Sequence, residues 1–138
     1  MQNSKIYEQK IIGSKKNQLV NFVTKVWGHE EWIVNNSKYC GKKLVLKKGF
    51  RCSMHKHNIK DETFYILSGS VLMETEFNGR IDKIIMSPGD IVHIEIGMWH
   101  RFTGLQDSEI MEFSTFHMEE DSIRREDSGQ VDLKELGF

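Results

Sequence analysis

Proline is almost missing: Pro88 is the single one in 138 residues, which excludes a proline-rich linker or a polyproline ligand segment. Cysteine is nearly as scarce. Cys40 and Cys52 are too few for a disulfide framework, and their spacing fits no zinc motif, so they read as two thiols of a reducing compartment. No apolar run approaches the roughly 20 residues needed to span a bilayer. The stretch Met1–Lys10 is polar and lacks the hydrophobic core of a signal peptide, so a cytoplasmic location is the expectation. Charge of either sign is not in excess: 19 basic against 20 acidic residues leave a net charge of -1. That balance gives no electrostatic reason to expect nucleic acid or an anionic membrane as partner. The lysines are scattered (Lys15, Lys16, Lys25, Lys42, Lys43, Lys47, Lys48), and most are expected on solvated strand faces. Low-complexity tracts and internal repeats are also missing.

What remains is a succession of short apolar stretches punctuated by glycine. They are Leu19–Val26, Glu31–Asn35, Lys42–Leu46, Glu62–Leu67, Ser70–Phe77, Ile81–Met86, Asp90–Ile94 and Glu109–Phe116. Brief strands with regular turn signals predict an all-β sandwich or barrel. Residues 1–138 read as one domain, with an N-terminal arm over 1–18, a barrel over 19–116 and a C-terminal tail over 117–138. The arm reads as loose or as an edge strand. Asn78-Gly79 predicts a tight type I′ hairpin, because both central residues of that turn need positive φ. Pro88-Gly89 marks the turn before the next strand. Met118–Glu126, charged and poor in β-branched residues, predicts a short helix or an ordered irregular tail, and Val131–Leu136 one helical turn.

Chemistry concentrates between Gly49 and His100. His55 and His57 are two apart, so a strand projects both imidazoles to one face. The turn Asn58–Asp61 returns the chain, so that Glu62 arrives from a neighbouring strand, and His100 adds a third imidazole. Three imidazoles and a carboxylate form a mixed nitrogen and oxygen donor set. It suits Mn, Fe, Co, Ni or Zn rather than calcium. Four protein ligands on an octahedral ion leave two positions open, which points to chemistry rather than a closed structural site. A bland reading, with the histidines as satisfied polar residues of an exposed face, fits a lone His-x-His better than this whole pattern.

Gly49, His55, His57, Glu62 and Gly69 match the first cupin motif at every defined position. Gly89, Gly97 and His100 resemble the second, with Glu95 where its proline stands and Gly104 where its asparagine stands. The resemblance implies a double-stranded β-helix, the cupin jelly-roll barrel, often a homodimer, with one divalent metal on His55, His57, Glu62 and His100. Trp27-Gly28, His100-Arg101 and the tail reaching Arg124 resemble the cupin domain of type II mannose-6-phosphate isomerases. His55-x-His57-x-x-Lys60-x-Glu62 is similar to the metal segment of D-lyxose-type sugar isomerases, in which the lysine belongs to the active site.

These resemblances imply a sugar or sugar-phosphate isomerase acting through a metal-chelated enediolate. Glu112 and Glu95 are the candidate bases, and Lys60 the group that polarises or protonates the oxygen. Arg101 or Arg124 would hold a phosphate, while Trp27 and Phe64 would contact substrate. Each has a plainer alternative: a solvated turn lysine, an ion-paired tail arginine, core packing for Trp27. Glu112 lies in a strand apolar at both parities, so alternation does not orient it. His93 falls at opposite parity to His100, and an odd separation on a regular strand turns Cys52 away from His55. Two further functions fit the same donor set: a non-catalytic sugar or small-molecule binder in a carbohydrate pathway, and a small metal-dependent dioxygenase.

Overall fold

A computed structural model describes residues 20–138; the expected arm at 1–18 lies outside them. In chain order the strands are β1 (Asn21–Lys25), β2 (Gly28–Asn35), β3 (Cys40–Leu46), β4 (Phe50–Arg51), β5 (Met54–His57), β6 (Glu62–Ser68) and β7 (Val71–Phe77). There follow β8 (Arg80–Met86), β9 (Ile91–Ile94), β10 (Trp99–Gly104), β11 (Ser108–Ser114), β12 (Ser122–Glu126) and β13 (Gly129–Gln130). They form two antiparallel sheets. One runs β1-β2-β3-β11-β6-β9. In the other, β10 lies between β7, which carries β8, and the broken strand β4/β5, which is flanked in turn by β13 and β12. The fold is all-β, a cupin-type jelly-roll barrel.

Local chemistry explains the main turns. Asn78 and Gly79 both have positive φ (51° and 79°), as the tight hairpin requires, and Phe77 pairs with Arg80. Gly69 turns at φ 90°, and a Cβ there would run into Ser108 Oγ and the Asp107 carbonyl. Only glycine satisfies both demands.

The tail is ordered, as one of its two expectations had it, and does not form an α-helix. Glu119–Asp121 forms a single 3-10 turn, and Ser122–Glu126 then runs antiparallel to β5, with Arg124 opposite His55 and Ser122 opposite His57. Ser122–Glu126 is mostly exposed and pairs along β5 rather than coiling into a helix. Val131–Leu136 ends in successive i to i+3 turns, from Asp132 to Gly137.

The inward faces carry the link to function. They read Lys42-Leu44-Leu46 on β3, Glu62-Phe64-Ile66 on β6, His100-Phe102 on β10 and Glu112-Ile110-Ser108 on β11, all buried. Register aligns them: Glu112 pairs with Lys42 and Phe64, and Ile110 with Leu44 and Ile66. Apolar residues thus gather at one end of the barrel, where Trp27, Leu44, Leu46, Phe64, Ile66, Val71, Met73, Ile94, Phe102 and Ile110 form the core. Ionisable side chains gather at the other. Lys42 departs from the solvated position expected of the lysines: it is 1% exposed.

Candidate metal centre and cavity

β5 and β10 run side by side, with His55 directly opposite His100. Strand alternation turns His57 to the same face, and one nitrogen of each of the three rings lies within 4.8 Å of the others. Their orientations are set by the backbone. His55 Nδ1–H donates to the Ser53 carbonyl (2.8 Å) and His100 Nδ1–H to the Met98 carbonyl (3.0 Å). Each ring therefore keeps the lone pair of Nε2 for something else. Glu62 comes from β6 in the opposite sheet. Its Oε1 lies 2.9 Å from His100 Nε2 and its Oε2 lies 3.7 Å from His57 Nε2. The shorter contact is not aligned as a hydrogen bond, so among the described residues His100 Nε2 is a buried acceptor with no donor. A buried lone pair aimed at two other imidazoles and a carboxylate fits a cation between them.

Electrostatics favour the same reading. Burial, reinforced by the neighbouring rings, holds the His55 imidazolium well below its ordinary range, and burial brings His57 down to about 4 despite Glu62. Both rings are neutral donors at pH 7. Burial would raise the Glu62 carboxyl, yet the Lys60 ammonium beside it holds it well below the usual carboxylate range. It is ionised.

The centre opens into a cavity of about 270 Å³, lined by His55, His57, Glu62, Phe64, Lys60, Glu112 and further residues of both sheets. Lys60 is buried. Its Nζ lies 2.6 Å from Glu112 Oε2, 3.2 Å from Glu62 Oε2 and 3.0 Å from His117 Nδ1. Burial opposes its charge, but Glu112 and Glu62 outweigh burial and raise the ammonium above its ordinary value. Glu112 faces inward and is held below the usual range by Lys60 and Lys42, against the burial that would raise it. Its Oε2 also accepts the Ser114 hydroxyl (2.9 Å).

The other expected site residues fall differently. Trp27, Phe64 and Arg124 line the cavity; Trp27 packs edge-on against Phe102 (5.3 Å), and Arg124 reaches Glu119 at 3.1 Å. Glu95 is exposed in the turn after β9 and does not line the cavity, so the structure removes it from the candidate bases. Arg101 is also corrected. With His100 pointing in, alternation turns Arg101 to the outer face, where Glu74 and Glu126 occupy its guanidinium. Cys52 lines the cavity although parity predicted otherwise, because β4 and β5 are separate strands and the regular alternation is interrupted at Cys52-Ser53. Burial pushes its thiol up to about 12. His93 is exposed beside Asp61 (2.7 Å).

Sequence reasoning missed four residues. Lys42 and Glu30 line the cavity as a pair (3.4 Å), and the shared parity of Lys42 with Leu44 and Leu46 was the available signal. His117 reaches Lys60 from the start of the tail. The Asp121 carboxylate accepts the backbone N–H groups of Asn58 (2.9 Å), Ile59 (3.0 Å) and Lys60 (2.9 Å), fixing the turn between the histidine strand and Glu62. No spacing pattern announces either.

With this geometry in view, the relatives are informative. The cupin domain family profile matches residues 43–116, more than half the chain, and the chain belongs to that family. Among solved structures it is similar to the capsular polysaccharide assembling protein CapF from Staphylococcus aureus: TM-score 0.72, 15% identity, 84% of this chain against 34% of that one. It is similar to KdgF from Halomonas sp. (TM-score 0.60, 18% identity, 67% of this chain and 82% of that one). Oxalate decarboxylase from Bacillus subtilis also resembles it (TM-score 0.72, 16% identity, 86% and 34%). The chain thus spans about a third of the length of CapF. At such identities the likeness is one of fold. No curated protein sequence matches the chain significantly. No helix among the described residues is long and apolar enough to cross a membrane.

Proposed function

We propose that the protein is a metal-dependent cupin that moves a proton between neighbouring carbons of a sugar or sugar phosphate, an aldose–ketose isomerisation. The observation that carries this reading is the buried Lys60–Glu112 pair beside the histidine cluster in one cavity. His55, His57, Glu62 and His100 would hold one divalent transition ion. Bound there, the ion would act as a Lewis acid toward a carbonyl and the adjacent hydroxyl oxygen.

The chain's own residues supply the rest. Glu112 is ionised, and both of its hydrogen-bond partners sit on Oε2. Oε1 is left to take the proton from the hydroxyl-bearing carbon and return it to the neighbouring carbon. Lys60 stays protonated between two carboxylates with its three N–H groups facing Glu112, Glu62 and His117, so it acts on the substrate oxygen as a fixed positive charge rather than as a proton source. Phe64, Phe102 and Trp27 wall the cavity with apolar surface, which strengthens these charges by excluding water. Arg124, exposed and paired with Glu119, would turn its guanidinium to the phosphate of a phosphorylated substrate.

The test combines metal content with isotope exchange. Protein purified without an affinity tag is assayed by plasma mass spectrometry, then incubated in D2O with aldoses, ketoses and their phosphates while carbon-bound deuterium is followed by NMR. Wild type should carry near one equivalent of Mn, Fe, Co, Ni or Zn and incorporate deuterium. His55→Ala should lose both. Lys60→Met and Glu112→Gln should keep the metal and lose exchange by roughly 10²–10⁴-fold, the usual worth of a positioned acid–base group. Metal without exchange on any substrate would leave a binding protein and sink the isomerase.

A further inference from the structure

The proposed chemistry uses the histidine end of the cavity and leaves a second buried ion pair unexplained. Lys42 is 1% exposed. Its ammonium carries three N–H donors, yet among the described residues it meets a single acceptor, Glu30 Oε1, at 3.4 Å, and lies 4.2 Å from the Trp32 ring centroid. Glu30 is equally underused. Its Oε1 takes the Trp32 indole N–H (2.8 Å) and Lys42, while among the described residues nothing hydrogen-bonds Oε2. Burial would raise the carboxyl, but Lys42, Lys25 and the indole bring it down to about 2, so Glu30 is ionised at neutral pH. Both residues line the cavity. An acceptor oxygen beside unspent ammonium donors matches the donor-and-acceptor character of hydroxyl groups. A ligand carboxylate or phosphate would instead be repelled by Glu30.

Position sets the length of ligand. Lys42 lies on β3 and Glu62 on β6, with β11 between them; Lys42 is in register with Phe64, two residues from Glu62, so two strand spacings and a two-residue offset put the two backbones roughly 12 Å apart. Five or six carbons bridge that span and two or three do not. We infer that Glu30 and Lys42 form a second subsite of the cavity, which reads the hydroxyl groups of a polyhydroxylated ligand whose other end meets the metal centre. The inference rests on the reading of the centre given above and specifies its ligand class.

Trp32 provides the reporter, since its indole N–H is bonded to Glu30. The protein, loaded with Zn, is titrated with mannitol and with glycerol, and the indole 1H–15N resonances are followed. Neither polyol can be turned over as an aldose. Mannitol should shift Trp32 and leave Trp99, which lies on the outer face between Lys56 and Arg125. Glycerol should not shift Trp32. The charge-neutral double variant Glu30→Gln/Lys42→Met, which avoids stranding either charge, should abolish the Trp32 shift and weaken mannitol roughly tenfold. A Trp32 shift that survives in the variant, or no shift in wild type, would overturn the subsite. A protein that takes up no metal while mannitol still shifts Trp32 would retain the subsite and remove the metal reading.

Discussion

A single buried carboxylate shows how the cavity's charges bear on stability. Glu30 titrates at about 2 against an ordinary 4.5. A depressed carboxylate contributes stability that is present above its unfolded pKa and is lost as pH falls through its folded pKa. The Glu30 contribution is therefore whole above about pH 5 and lost progressively toward pH 2; the shift corresponds to about 3 kcal/mol at most. Glu30→Gln lacks the titration. Urea unfolding should show wild type more stable than the variant at pH 6, with the difference shrinking steadily as pH is lowered to 2. A difference that stays constant over that window would show that the Lys42 and Trp32 contacts do not depress this carboxyl. Legibility at this scale divides by cause. His55 and His57 could be read because spacing along a strand fixes which way a side chain faces, and Glu62 and His100 because they fall at defined positions of the cupin motifs. Glu112 could not, because its strand is apolar on both faces. Arg101 and Glu95 were misread because motif neighbours of a ligand need not share its face.

At the scale of elements, the segment between His57 and Glu62 has most at stake. Asn58–Asp61 is a turn with little packing of its own; Ile59 is 61% exposed. Three of its backbone N–H groups are satisfied by one carboxylate, that of Asp121, delivered by the 3-10 turn just before β12. The same carboxylate lies 3.9 Å from His57 Nδ1. Asp121→Ala strands those donors and frees the turn, so it should cost about 2 kcal/mol or more and weaken metal binding without touching a ligand. Thermal melts together with metal titration of the variant would check both. Unchanged metal affinity would mean that β5 and β6 alone hold the ligands in place. The β7–β8 hairpin and the histidine turn were legible because local rules for positive φ and alternation govern them. The pairing of β12 with β5 was not, since a charged strand gains its stability from an edge supplied by residues some 65 positions earlier, and such long-range pairing leaves no local pattern.

Across the whole molecule, the centre joins two sheets. His55, His57 and His100 belong to the sheet containing β5 and β10, whereas Glu62 belongs to the one containing β6 and β11. An ion held by all four therefore links the halves of the barrel at its polar end, where no apolar core does so. The unfolded chain has no such preformed site, so metal binding is coupled to folding. At a free metal concentration of 100 times Kd the stabilisation is about 2.7 kcal/mol, which for a domain of this size raises Tm by roughly 5–10 °C. Scanning calorimetry of chelator-treated protein, with and without Zn or Mn, should show that rise. His55→Ala should show none. Glu62→Gln keeps the three imidazoles in one sheet but removes the carboxylate from the other, so its rise should fall between the two. If Glu62→Gln matched wild type, the imidazoles alone would account for binding, and the barrel's two sheets would be held together by packing rather than through the site.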